Sequence, residues 1–167
     1  PFVIESIIER FAVGKTKKIR YNVLFLPEHL QTQLPFDKYP RLRVEGEIAD
    51  IPIANAFMPT GDGRYYVIVK PDIFKSADVV LGDEVEMRFC IADQDHVDVP
   101  NALHKAVYAD SKMQQKWEVL TPGKQRMLAQ HVFSAKTEPT THKRVKEAME
   151  ALADFGADLR AWRRGRK

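Results

Sequence analysis

Apolar and polar residues alternate through the first part of the chain, and the alternating runs are punctuated by glycine and proline. Phe2 to Phe11 reads as one strand, with Val3, Ile4, Ile7 and Ile8 supplying the β-branched bulk that suits a pleated surface. Ile19, Tyr21, Val23 and Phe25 alternate with Arg20, Asn22 and Leu24, the pattern of a half-buried strand. Pro27 to Leu34 reads as a short helix, because proline is tolerated where the first N–H groups have no partner. In Arg41 to Ile48, Leu42, Val44 and Ile48 share one face while Arg41, Arg43, Glu45 and Glu47 share the other. Gly46 falls in the apolar phase, which marks a bend or a close backbone approach. Asp50 marks a tight turn. Ile53 to Met58, the loop Pro59-Thr60-Gly61-Asp62-Gly63 and the alternating Tyr65, Val67 and Val69 predict a hairpin. One helical turn follows over Asp72 to Ala77. Val85, Met87, Phe89 and Ile91 then alternate with Glu84, Glu86, Arg88 and Cys90. About six short strands at this spacing argue for a closed barrel or a sandwich.

From Asn101 the period changes to that of a helix. Leu103, Ala106 and Val107 fit one face, as do Met113, Trp117 and Leu120. Thr121-Pro122 is an N-cap followed by proline at the first helical position. Leu128, Val132 and Ala135 give that helix its apolar stripe. Pro139 interrupts the chain, so Thr140 or Thr141 is the expected cap of the next helix, whose stripe is Val145, Ala148, Met149 and Leu152. Gly156 ends it, and Leu159 with Trp162 predicts a last short helix. The expected organisation is α+β, with a β-domain over residues 1–97 and a helical module over 98–167.

Charge sharpens this division. Residues 1–100 carry 12 Lys and Arg against 16 Asp and Glu, whereas residues 101–167 carry 14 against 7. An anionic partner for the basic half is one implication, and mutual attraction of two solvated halves is the other. The single cysteine, Cys90, excludes an internal disulfide, and a cytoplasmic location is the expectation. No apolar run approaches the roughly 20 residues that span a bilayer.

Candidate chemistry is sparse. The five histidines show neither HxH nor HExxH spacing, and His104 and His131 read as surface or rim residues. Asp93, Asp95, His96 and Asp98 lack the glycine and glutamate of a calcium loop and read as an acidic linker. Cys90 reads as an outer-face strand residue. Gly61-Asp62-Gly63 with Arg64 could cradle a phosphate through backbone N–H groups. It leads into a strand rather than a helix, however, and reads as a hairpin turn. The strongest lead is basic: Lys136, Thr141, Lys143 and Arg144 gather near a helix start, where free N–H groups favour an anion. Arg160, Arg163, Arg164, Arg166 and Lys167 add a basic tail. Phe57, Met58, Tyr65 and Trp117 are the candidates for lining a pocket between barrel and helices, against ordinary core packing. No catalytic residue, metal site or cofactor is implied. The candidate partners are an anionic polymer, nucleic acid included, or a small ligand, and the oligomeric state stays open.

The motifs, taken in order, resemble a known family. They are Leu26-Pro27, the Arg-x-Arg-Val-x-Gly strand at Arg41 to Gly46, the Met-Pro-x-Gly-x-Gly hairpin at Met58 to Gly63, and Gly-Asp-x-Val-x-Met at Gly82 to Met87. Val-Pro-x-x-Leu at Val99 to Leu103, Trp-Glu-x-Leu-Thr-Pro at Trp117 to Pro122, and Ala-Lys followed by Thr-x-x-Arg-Val over Ala135 to Val145 complete the series. The series resembles the bacterial YdeI/OmpD-associated family, also labelled bacteriocin-protection proteins, in which a small barrel domain of unknown function often precedes the helical region. That resemblance implies a closed antiparallel β-barrel, a C-terminal helical module, and a non-enzymatic binding or stress-protection role. Where the family more commonly has Arg after the capping Thr, this chain has His142.

Overall fold

The structure is a computed structural model, and it describes residues 1–166. The chain divides into two compact units, Pro1–Gln94 and Asp95–Lys167, with Lys167 outside the described residues.

The first unit holds β1 (Phe2–Ile7), β2 (Glu9–Val13), β3 (Ile19–Phe25), α1 (Glu28–Gln31), β4 (Leu42–Ile48), β5 (Ile51–Pro59), β6 (Tyr65–Ile68), α2 (Pro71–Ala77) and β7 (Glu84–Ile91). The strands form one antiparallel sheet in the order β1-β7-β4-β5-β6-β3-β2. It is an open half-barrel of seven strands, not the expected closed barrel of about six. The reason lies at Ile8. The run read as one strand breaks there, so that β1 pairs with β7 while β2 pairs with β3, and no ladder joins β1 to β2. The break is fixed by backbone: Ile8 N–H donates to Asp83 O at 2.9 Å, and Gly82 N–H donates to Ile8 O at 2.9 Å.

Alternation places Ile4, Leu24, Leu42, Val44, Ile48, Phe57, Val67, Met87 and Phe89 in the core. Phe89 meets Phe57 edge-on at 5.2 Å between ring centres and stacks on Phe2 at 5.3 Å. The outer end of β3 departs from the sequence pattern. Ile19 and Tyr21 are exposed and Leu24 joins the core, because the β2–β3 hairpin runs on past the layer that covers its base.

Gly46 is the tightest point of the sheet. It pairs with Phe89 on one side and Ile53 on the other. A Cβ there would sit 1.9 Å from Arg88 O and 2.7 Å from Phe89 Cα, both backbone atoms that cannot swing aside. Gly46→Ala is therefore expected to destabilise the protein by about 3 kcal/mol or more. Urea unfolding checks this, and a change below ~0.5 kcal/mol would show that the two strands have room to separate.

The second unit holds α3 (Asn101–Tyr108), α4 (Ser111–Glu118), α5 (Pro122–Phe133), α6 (Glu138–Asp154) and α7 (Leu159–Arg164). α6 is the central helix and touches the other four. Its fully buried Ala148 and Ala151 let neighbouring backbones approach Leu103, Val107, Trp117 and Leu128. Thr121 caps α5 as the sequence suggests, accepting from Lys124 N–H at 3.4 Å. The cap of α6 is Thr137, not Thr140 or Thr141. Its hydroxyl accepts from Thr140 N–H at 3.3 Å, and Pro139 lies inside the first turn, where its missing N–H costs nothing. Trp162 anchors α7, with Nε1–H donating to Glu150 at 2.9 Å and Arg166 over its ring at 4.6 Å.

Candidate functional site

Within the sheet unit, β2, β3 and β6 present two different faces. One face gives Leu24 and Val67 to the core. The other carries Phe11, Phe25 and Tyr66, since Phe25 and Tyr66 are register partners. Phe11 packs edge-on against Phe25 at 5.4 Å and tilted against Tyr66 at 5.3 Å. This aromatic cluster on the face away from the core borders a pocket of about 690 Å³. The pocket is lined by Phe11, Lys17, Arg41, Met58, Arg64 and Tyr66, together with the loop between β5 and β6 and the end of β2.

That loop is held by its own polar groups. Thr60 N–H donates to Arg64 O at 3.0 Å, and the Thr60 hydroxyl lies against the Asp62 carboxylate. Arg64 N–H donates to Thr60 Oγ1 at 3.2 Å and to Asp62 Oδ1 at 3.3 Å. Gly61 and Gly63 take φ of +94° and +95°, which confirms the hairpin turn and explains the glycines. The Arg64 side chain then forks onto Asp62, Nε to Oδ1 at 3.1 Å and Nη2 to Oδ2 at 3.0 Å. Its guanidinium lies 4.6 Å from the Phe25 ring centre and 5.7 Å from that of Phe11. Arg64 is thereby pinned between a carboxylate and two rings, with Nη1 left over as a donor.

The charge states follow from these contacts. The Arg64 guanidinium, then the Thr60 hydroxyl, hold Asp62 far below the usual carboxylate range. Burial pushes the Tyr66 phenol above its ordinary value, with Tyr21 adding to the rise and Arg41 opposing it. Tyr66 is 6% exposed, and its hydroxyl makes no hydrogen bond among the described residues. The side chains of Arg41 and Lys17 are exposed and likewise make no hydrogen bond or ion pair among the described residues. Lys17 adopts φ +49°, a left-handed conformation that costs a non-glycine residue about 1–2 kcal/mol.

A second polar cluster lies in the helical unit. His131, read as a rim residue, is buried at 7% exposure between α5 and α6. Its Nε2 is 2.7 Å from Glu147 Oε2 and its Nδ1 is 3.1 Å from Arg144 Nη1. A guanidinium can only donate, so Nδ1 accepts and Nε2 carries the proton that reaches Glu147. The cluster ties one helix to the other. His131→Ala, which leaves Glu147 and Arg144 half-buried without their partner, is expected to lower stability by about 3 kcal/mol in urea unfolding.

The residues singled out from sequence are distributed as follows. Phe57, Met58 and Tyr65 lie in the first unit and Trp117 in the second. Phe57 is fully buried in the sheet core and Trp117 is buried in the helical core. Tyr65 stacks on Phe36 at 3.7 Å, and Met58 lines the pocket opposite its register partner Tyr66. Of the basic candidates, Lys136 and Lys143 are exposed, while Arg144 is engaged with His131. Thr141 lies within α6 and donates its hydroxyl to Thr137 O at 3.0 Å, so it is not a cap. Sequence reasoning passed over Phe11, Lys17, Arg41 and Tyr66. Phe11, Lys17 and Tyr66 lie near glycine-bearing turns, whereas Arg41 follows the proline-bounded loop 35–40, so no common signal joined the four.

Fold and pocket define a chain built from an antiparallel β half-barrel domain with a cation-lined pocket, followed by a helical domain. Residues 12–89 match a domain of unknown function (DUF1905), and residues 96–154 match the family described as Bacteriocin-protection, YdeI or OmpD-Associated. The two matches follow one another in the order the motifs suggested. No curated protein and no solved structure matches it. No helix among the described residues is long and apolar enough to cross a membrane.

The raised Tyr66 value has a definite sign. The fold favours the neutral phenol, so its stabilising contribution is complete below the ordinary tyrosine value of 10.0 and is lost as pH rises through the higher folded value. Phenolate absorbance in the near ultraviolet, wild type minus Tyr66→Phe, is expected to develop above pH 10.0. A difference signal complete by that pH would show that the phenol is not shielded.

Proposed function

We propose that this protein is a non-enzymatic binding module of the stress-protection kind, and that it acts by holding a small molecule in the pocket beside the 60–64 loop. The observation that carries this reading is the pinned Arg64. A side chain locked by Asp62, Phe25 and Phe11 is preorganised for contact, and preorganisation lowers the ordering cost of binding. The lining also suits holding better than acid–base chemistry. Its one carboxylate, Asp62, is already committed to Arg64 and stays ionised well below neutral pH, which makes it a poor base. The single unpaired thiol, Cys90, fits a reducing cytoplasm.

Equilibrium dialysis against a cell metabolite extract, read by mass spectrometry, tests the proposal. The wild type is expected to retain a compound unchanged, and Val13→Trp, which adds bulk to the lining on the Phe11 face, to release it. A compound consumed by the wild type and spared by one substitution would overturn the non-enzymatic reading.

A second reading, polyanion binding by the helical half, is favoured by the 14 Lys and Arg against 7 Asp and Glu after residue 100. It predicts nucleic-acid affinity that falls steeply with salt and drops further when Lys136, Lys143, Arg163 and Arg164 are neutralised. Those four are exposed, so their removal leaves the Trp162 anchor intact. Retained affinity in that variant would sink this reading.

A further inference from the structure

The lining of the pocket narrows what it holds. We propose that its ligand is a small organic oxyanion with a flat unsaturated body, the ring resting among Phe11, Met58 and Tyr66 and the anionic group on Arg41 and Lys17. The inference rests on the pocket being the binding site, and it assigns the chemical class of the molecule.

Charge is the first argument. Three cations line the pocket, Lys17, Arg41 and Arg64, against the one carboxylate of Asp62. The fork from Arg64 neutralises Asp62, which leaves Arg41 and Lys17 without a counter-charge among the described residues. Both side chains are exposed and line the same pocket, so an anion that enters it meets two cations able to turn toward it. An arginine also presents several donors in a plane, which matches the oxygens of a phosphate, sulfonate or carboxylate.

The walls supply the second argument. Phe11 and Tyr66 lie on the face of the sheet away from the core, where solvated polar side chains are the usual lining. Met58 faces them with a polarizable thioether that adapts to varied ring systems. Tyr66 is nine-tenths buried and lines the pocket, and its phenol has no hydrogen-bond partner among the described residues. The hydroxyl itself keeps access to solvent, since Asn22 Oδ1 is the one buried side-chain polar atom without a partner among the described residues, and it can therefore donate to a ligand oxygen in the pocket. At about 690 Å³ the space is far larger than a bare phosphate requires, so the anionic group must carry a body.

The rim gives the third. Lys17 sits at the end of a tight turn, its N–H donating to Gly14 O at 3.1 Å, with φ +49°. Glycine or asparagine would suit that backbone better, so the lysine there carries a local conformational cost. Its place on the pocket lining accounts for the charge.

The full chain can be titrated by isothermal calorimetry with 1-naphthyl phosphate, with neutral 1-naphthol and with inorganic phosphate. The naphthyl ester is expected to bind at least tenfold more tightly than either of the others. Arg41→Ala is expected to weaken the ester at least tenfold, Arg41→Lys to fall between, and Lys17→Met to weaken it without altering the thermal transition. Lys112→Ala, an exposed position on α4 with no part in either reading, should leave it unchanged. If naphthol binds as tightly as the ester and Arg41→Ala has no effect, the oxyanion assignment is overturned while the pocket stands. If the ester binds equally well to Val13→Trp, the pocket itself is not the site. Absence of any heat with the ester at ~1 mM also overturns the proposal.

Discussion

The arrangement of the sheet unit depends on one close contact, the backbone of Gly46 against the backbone of residues 88 and 89. The Arg88 carbonyl occupies the space where any other residue would put a side chain. That contact seats β7 against β4 and so fixes Phe89 in the core, edge-on to Phe57. Phe89 in turn stacks on Phe2, which helps to place β1 on the far side of β7. Once β1 is committed to β7, the chain can reach β3 only by breaking at Ile8. The backbone bonds of Ile8 to Asp83 and Gly82 record that commitment. A close packing constraint at the middle of one strand therefore decides where β2, and with it Phe11 and the basic turn, come to lie.

β2 and its neighbours then separate two kinds of burial. On one side Leu24 and Val67 disappear into the core by ordinary apolar packing. On the other, Phe11 and Phe25 are partly covered by a charged side chain, Arg64, with Tyr66 packed against Phe11. A guanidinium over an aromatic face contributes about 0.5–2 kcal/mol depending on its desolvation, enough to hold a rotamer but too little to replace a core. The same strands thus end in a rigid scaffold and continue into a surface where the rings are only roofed. Asn55 completes the support. The ladder between β5 and β6 spans two pairs, and the Asn55 side chain donates to Ile68 O at 2.8 Å where that ladder stops.

Much of this was legible in the residues, and the exceptions have physical causes. The alternation of 41–48 and 84–91, the phase of Gly46, the glycines of the 61–63 turn and the Thr121-Pro122 cap each use a local rule that the structure obeys. The break at Ile8 was hidden because both halves of 2–13 are apolar and β-branched, and only the choice of partner strands divides them. Pro139 concealed the cap at Thr137, since proline inside a first turn and proline outside a helix look alike in sequence. His131 was misplaced because its burial depends on Glu147 and Arg144, thirteen and more residues along. The pocket had no spacing to betray it. It joins residues 11–17, 41 and 58–66, which meet through the antiparallel ladders of β2 with β3 and β3 with β6.

The same distinction between local and summed properties governs the charge. The first hundred residues are net acidic, yet the pocket they build is cationic. Glu45, Glu47 and Glu86 lie on β4 and β7, where Arg88 pairs with Glu47 and Glu86. Those strands stand two or three places from β6 in the ladder, about 10–15 Å away at ordinary strand spacing. At physiological salt, exposed charges are screened over about 8 Å. A ligand entering beside Arg64 and Lys17 therefore responds to the nearest cations, to Asp62, already matched by Arg64, and to Glu9 on β2, more than to the glutamates of β4 and β7. Counting charges by halves of the chain points to the helical unit as the place for an anion. Counting them within a screening length points to the 60–64 loop, and that shorter range is the one on which a small molecule is recognised.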